Sequence, residues 1–75
     1  MKLFIGNLPY NVTENELTDI FSSYGNIVST KLVVDHFTDQ PKGFGFVEMA
    51  NDDEALEAIE ETDGTEYGGR SLVVN

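Results

Sequence analysis

The sequence predicts an α+β fold: a split βαβ–βαβ arrangement in which a four-stranded antiparallel sheet, strand order 4-1-3-2, carries two helices on one face. Three observations carry that expectation. Two stretches with helical apolar periodicity sit between β-prone runs, so the elements read βαβ and then βαβ again. Right-handed crossovers send both helices to the same side of the sheet. And 75 residues without a cysteine make one small domain, residues 1–75, with no third layer and no disulfide to brace it.

Taken in order, "KLFIG" (2–6) is a β-prone run closed by Gly6, Asn7 and Pro9. "VTENELTDIFSSYG" then carries helix signals at both ends. Thr13 and Glu16 have capping-box spacing, Val12 and Leu17 that of a hydrophobic staple, and Gly25 is the expected stop. Its apolar stripe is Leu17, Ile20, Phe21 and Tyr24, spaced i, i+3, i+4, i+7. "NIVSTKLVVD" (26–35) is β-branched and predicts the second strand; "HFTDQP" (36–41) predicts a loop. "KGFGFVEM" (42–49) predicts the third strand. "NDDEALEAIEETDG" opens on Asn51 as cap and closes at Gly64, with Ala55, Ala58, Ile59 and Thr62 as its stripe. After the turn residues "GTEYGG", "RSLVVN" (70–75) predicts the fourth strand.

Alternation then assigns faces. The helix-facing set is aliphatic: Leu3, Ile5, Ile27, Leu32, Val47, Met49, Leu72 and Val74, with Gly45 where a missing side chain admits a helix. The open face receives Lys2, Phe4, Lys31, Val33, Lys42, Phe44, Phe46, Glu48 and Val73. Three phenylalanines on neighbouring strands form one apolar patch in solvent, and patches of that kind mark binding sites.

Those stretches carry a family signature. "LFIGNL" (3–8) and "KGFGFVEM" (42–49) resemble the hexamer and octamer ribonucleoprotein motifs of the RNA-recognition motif (RRM) family, whose fold is ferredoxin-like. The likeness runs through "NLPYNVTENEL", the "YG" before the second strand and the "DG…Y…GR" turn. A single domain starting at its first strand looks most like the small bacterial members, and a native N-terminus is expected because the pattern starts close to Met1. The resemblance implies single-stranded RNA as partner, with single-stranded DNA as a further ligand. It implies stacking of bases on Phe4 and Phe46, packing of Phe44 against the sugars between them, and pairing of Lys42 with a phosphate. Lys2, Lys31, Asn7, Val73 and Asn75 complete the expected RNA-binding set. Met49 replaces the usual aromatic at the last octamer position, but alternation points it at the core. The loop 36–41 lacks the arginines and lysines typical of the family, and the chain reaches Asn75 where relatives often continue into a tail.

Charge pulls the other way. Four basic residues face fourteen carboxylates, for a net charge of −10, and phosphate attraction dominates ordinary nucleic-acid affinity. Location resolves the conflict. Glu14, Glu16 and Asp19 fall on the first helix, and Asp52, Asp53, Glu54, Glu57, Glu60 and Glu61 on or beside the second. Asp35, Asp39, Asp63 and Glu66 fall in loops, which leaves Glu48 alone on the open face beside three of the four basic residues. The helix layer sits about 10 Å behind the sheet, beyond a Debye length of about 8 Å. Weak, modestly specific RNA binding is the resulting expectation.

The residues admit other readings. The aromatic face equally suits a peptide or a second subunit, making a protein-interaction module the alternative. An acyl-phosphate hydrolase on this split fold needs an arginine in the turn after the first strand, and "NLPYN" holds none. "GFGFVE" lacks the third glycine of a phosphate loop, and "DDE" (52–54) suits a helix dipole rather than a cation. His36 has no ligand partners in its surroundings. Phe37 either reaches a base across the sheet edge or packs locally, and Tyr67 reads as a turn anchor. No catalytic residue, cofactor or metal site is expected, and the expected state is a cytoplasmic monomer without a membrane segment.

Overall fold

The computed structural model describes residues 1–9, 11–34, 37–38 and 41–75, with the backbone alone for Val34, Pro41 and Lys42. The reading of His36 lies outside the described residues. In chain order the elements are β1 (Lys2–Gly6), α1 (Glu14–Ser22), β2 (Ile27–Val34), β3 (Pro41–Met49), α2 (Asp52–Thr62), β4 (Glu66–Tyr67), β5 (Arg70–Ser71) and β6 (Val73–Val74). The main sheet is antiparallel with order β2-β3-β1-β6, the predicted order with β6 as fourth strand.

The predicted fourth strand is divided. β4 and β5 pair with each other as a two-stranded ribbon, and β6 alone joins the main sheet. The break falls at Leu72, whose N–H donates to Thr65 O and whose carbonyl accepts from Gly64 N, both at 2.8 Å. Those bonds tie Leu72 to the end of α2 instead of to β1, while its side chain stays in the core. The predicted turn "GTEYGG" therefore contains β4.

Local chemistry explains both helices. Thr13 Oγ1 accepts from Glu16 N at 3.2 Å, and Asn51 Oδ1 accepts from Asp53 N at 2.9 Å and Glu54 N at 3.3 Å. Each first turn is acidic, as the helix dipole favours. Only half of the predicted capping box forms, because the Glu16 carboxylate accepts from the Tyr67 hydroxyl at 3.0 Å. α1 ends at Ser22, earlier than Gly25, and Tyr24 reaches the core from the following turn. Gly25 is not in the left-handed region. Its bare α-carbon gives room to the Glu54 side chain, which a Cβ there would push aside.

The core lies between the helices and one face of the sheet. Leu3, Ile5, Val47, Met49, Leu72 and Val74 meet Leu17 and Phe21 from α1 and Ala55 and Ala58 from α2, all at most 2 % exposed. Leu8 and Val12, from the connection between β1 and α1, join them. Each fully buried large aliphatic contributes about 1.5–3 kcal/mol. Ile27 and Leu32 both face the helices although an odd spacing separates them. A register shift between Ile27 and Ser29 makes this possible, with the bulged Val28 left 60 % exposed. Gly45 behaves as expected, with closer quarters than alternation implies: a Cβ there would lie 2.6 Å from Lys31 O and 3.3 Å from Leu17 Cδ2.

Candidate nucleic-acid interface

The face of the sheet away from the helices is built from the residues that alternate with the buried ones along each strand. Phe4 of β1 lies directly opposite Phe46 of β3, and Lys31 of β2 lies opposite Phe46 on its other side. Phe4 exchanges both backbone hydrogen bonds with Asn75, N to O at 2.8 Å and O to N at 3.0 Å. Its pair with Phe46 is therefore the non-hydrogen-bonded kind, in which side chains approach most closely. The result is one row, Asn75–Phe4–Phe46–Lys31, running from the residue after β6 across β1 and β3 to β2. Lys2 opposite Glu48, with Ser29 beyond, forms the next row, and Val73 opposite Gly6 lies on the other side.

The three phenylalanines form one cluster. Ring centroids are 5.8 Å apart for Phe4–Phe44, 5.7 Å for Phe4–Phe46 and 6.5 Å for Phe44–Phe46, with interplanar angles of 35°, 63° and 90°. Tilted and edge-on contacts suit aromatic quadrupoles and leave ring surface directed outward. Each ring is half-buried, against its neighbours rather than against a helix. Lys2 Nζ stands 5.1 Å from the centroid of Phe46, a cation–π contact, rather than bridging to Glu48. Val73 is 44 % exposed at the β6 edge of the cluster.

Of the remaining expected site residues, Lys31 and Asn75 are exposed on this face, and the Lys42 side chain lies outside the described residues. Asn7 has a prior commitment. It takes φ 59°, which asparagine tolerates better than most residues. Its Nδ2 donates to Ser71 O at 2.8 Å and its Oδ1 accepts from Arg70 Nη1 at 3.4 Å. Asn7 thus joins the end of β1 to β5. Phe37, in the loop, is 97 % exposed. Tyr67 is the anchor of the β4–β5 ribbon, packed against the core and bonded to Glu16. Desolvation first, then the hydrogen bond to Glu16 and the charges of Glu16 and Asp19, push its hydroxyl above the ordinary tyrosine value of 10.0.

The charge layout follows the elements. Among the described residues the open face carries Lys2 and Lys31 against Glu48. The acids of α1 and α2 belong to the layer on the opposite side, α1 lying on β2 and β3 and α2 on β1, β3 and β6. Two acids, Glu14 of α1 and Asp63 just after α2, also serve the fold. Glu14 Oε2 accepts from Leu32 N at 3.1 Å, and Asp63 Oδ1 accepts from Val74 N at 3.0 Å, each covering an outward amide of an edge strand.

Gly6, which the sequence marks only as the end of a strand, also lies on this face. It is the last residue of β1 and belongs to the open face, beside Phe4 and opposite Val73. Alternation, counted one step past Phe4, was the signal that would have found it.

An open antiparallel sheet bearing an aromatic cluster flanked by lysines, with both helices behind it, defines the class. The RNA recognition motif family matches residues 3–73, and the chain belongs to that family. It is 47 % identical to RbpA of Nostoc sp. across all of this chain and 74 % of that protein. The crystal structure of RNA binding protein PG1 superimposes with a TM-score of 0.97 at 41 % identity, covering 100 % of this chain and 90 % of that one. A Sxl-lethal protein–RNA complex superimposes with a TM-score of 0.93 at 36 % identity, over 99 % of this chain and 46 % of the other.

Proposed function

We propose that the chain binds short single-stranded RNA on its open sheet face, weakly and with modest specificity. One base stacks on Phe4 and a second on Phe46, while Phe44 packs against the sugars that link them. Lys2, Lys31 and Lys42 meet phosphates, and Val73, Asn75 and Asn7 border the strand. The carrying observation is the aromatic cluster itself: three rings within 6.5 Å of one another on an uncovered face. Family membership and the likeness to a protein–RNA complex support the same reading. Base–aromatic stacking contributes about 1–3 kcal/mol per base and tolerates any base, because every base has a π-face. With three lysines in reach and a strongly acidic chain behind them, phosphate attraction adds little.

A titration of the isotope-labelled protein with short mixed-sequence RNA, followed by backbone and aromatic NMR, tests the proposal. Shifts concentrated at Phe4, Phe44 and Phe46 are expected. Silence there at millimolar RNA would refute RNA binding and leave the same rings as a protein-docking surface, a role the net charge of −10 favours.

A further inference from the structure

We propose that Gly6 is a positioning residue of the RNA site: the space where its side chain would be is the seat of the Phe4 ring. The inference rests on the stacking role of Phe4 proposed above. A Cβ built on Gly6 would lie 3.0 Å from Phe4 Cε2, 3.3 Å from Phe4 Cζ and 3.7 Å from Val73 Cβ. Cε2 and Cζ are the far edge of the ring. Phe4 therefore reclines along β1 over the Gly6 α-carbon instead of standing upright from the sheet. A ring laid along the strand can turn a face to solvent, and a face is what a base stacks on.

Nothing else about Gly6 demands glycine. It is not in the left-handed region, and it is regularly paired with Val73. Alanine is otherwise the better residue inside a strand. Substitution should help the strand and harm only the ring, so a loss of function on Gly6→Ala has one physical source. The neighbouring Phe44 ring, tilted only 35° from Phe4 at 5.8 Å, continues the platform. Lifting Phe4 would break that continuity and misplace the first base relative to the sugar contact.

The test is a double-mutant cycle on the whole chain: wild type, Gly6→Ala, Phe4→Ala and the double variant. Affinity for a labelled mixed-sequence single-stranded RNA is measured by fluorescence anisotropy and stability by thermal melting. Gly6→Ala is expected to weaken binding about three- to tenfold in the wild-type background and less than about twofold in the Phe4→Ala background, because the two residues act as one unit. The Phe4 ring resonances of the free protein should shift on Gly6→Ala. Wild-type affinity with unmoved ring resonances, or equal losses in both backgrounds, would overturn the proposal. Should Gly6→Ala fail to fold, a folded double variant still identifies the ring as the obstacle, and a double variant that also fails would overturn it. The two readings separate cleanly. If Phe4→Ala binds like wild type, the stacking role fails and the seat with it; if Phe4→Ala loses binding and Gly6→Ala does not, only the seat fails.

Discussion

Phe46 and Val47 are neighbours in β3 that point to opposite faces, and truncating each in turn should separate function from stability. Phe46→Ala removes the ring that meets Phe4 at 5.7 Å, Phe44 at 6.5 Å and the Lys2 ammonium at 5.1 Å. Aromatic pairs contribute about 0.5–1.5 kcal/mol and exposed cation–π contacts about 0.5–1. With one of the ring pairs near its distance limit, the loss of stability should be about 1–2 kcal/mol. That exceeds the near-zero cost expected for a fully solvated ring, since this one is half-buried. It remains well below the roughly 3–5 kcal/mol of a core Phe→Ala. RNA binding should fall by about 1–3 kcal/mol, or roughly 5–150-fold. Val47→Ala deletes two carbons from a side chain with 0 % exposure. Transfer at about 0.8 kcal/mol per carbon plus the cavity left behind gives about 2–3 kcal/mol. For a domain of this size that lowers the melting temperature by roughly 10–20 °C. Its RNA affinity, measured well below the melt, should stay within about twofold of wild type. Circular-dichroism melts and anisotropy titrations on the two variants supply both numbers. If Phe46→Ala destabilises as much as Val47→Ala and binds RNA unchanged, the open face has been misidentified as the working one.

Three further outcomes are expected. The slope of log K against log salt for single-stranded RNA should be no steeper than about −2, from three lysines at roughly −0.7 each; a slope near −5 would mean that other cations carry the contact. Gly45→Ala should destabilise by at least about 1–3 kcal/mol, because the new methyl meets Lys31 O at 2.6 Å, a backbone atom that cannot retreat without opening the β2–β3 ladder; a melt unchanged within error would refute the close approach. Alkaline conditions should loosen the β4–β5 ribbon. The Tyr67 proton is held more tightly folded than unfolded, so its contribution is complete below about pH 10 and declines as pH rises through the raised folded value. Tyr67→Phe should remove that part of the alkaline loss in pH-dependent melts, and an identical pH profile in the two proteins would refute it.

Much of this molecule was legible in its residues because the deciding interactions are local. Alternation of Leu3, Phe4 and Ile5, and of Phe44, Gly45, Phe46 and Val47, divides the faces from period-2 geometry alone, and those assignments agree with the burial observed. Thr13 and Asn51 announce helix starts through bonds to amides two or three residues away. Element order and handedness then leave one side of the sheet bare, which is why an acidic chain still displayed a recognisable nucleic-acid face.

Other features depend on groups distant in sequence. Whether Ile27 and Leu32 share a face turns on the bulge at Val28, which exists only because β2 is paired with β3. Glu16 has the spacing for half of a capping box, but a hydroxyl 51 residues away offers its carboxylate a partner. The last strand looked continuous until Leu72 gave its backbone to the end of α2. Asn7, at the end of β1, is bonded to the β5 segment 63 and 64 residues on. The chain's residue types thus determined which side chains could stack on a base, through charge-free aromatic surface at alternating positions. Tertiary structure decided how those rings lie, because the Phe4 ring occupies the space left above Gly6 and meets Phe46 and Phe44 on a strand brought beside it only by the folded sheet.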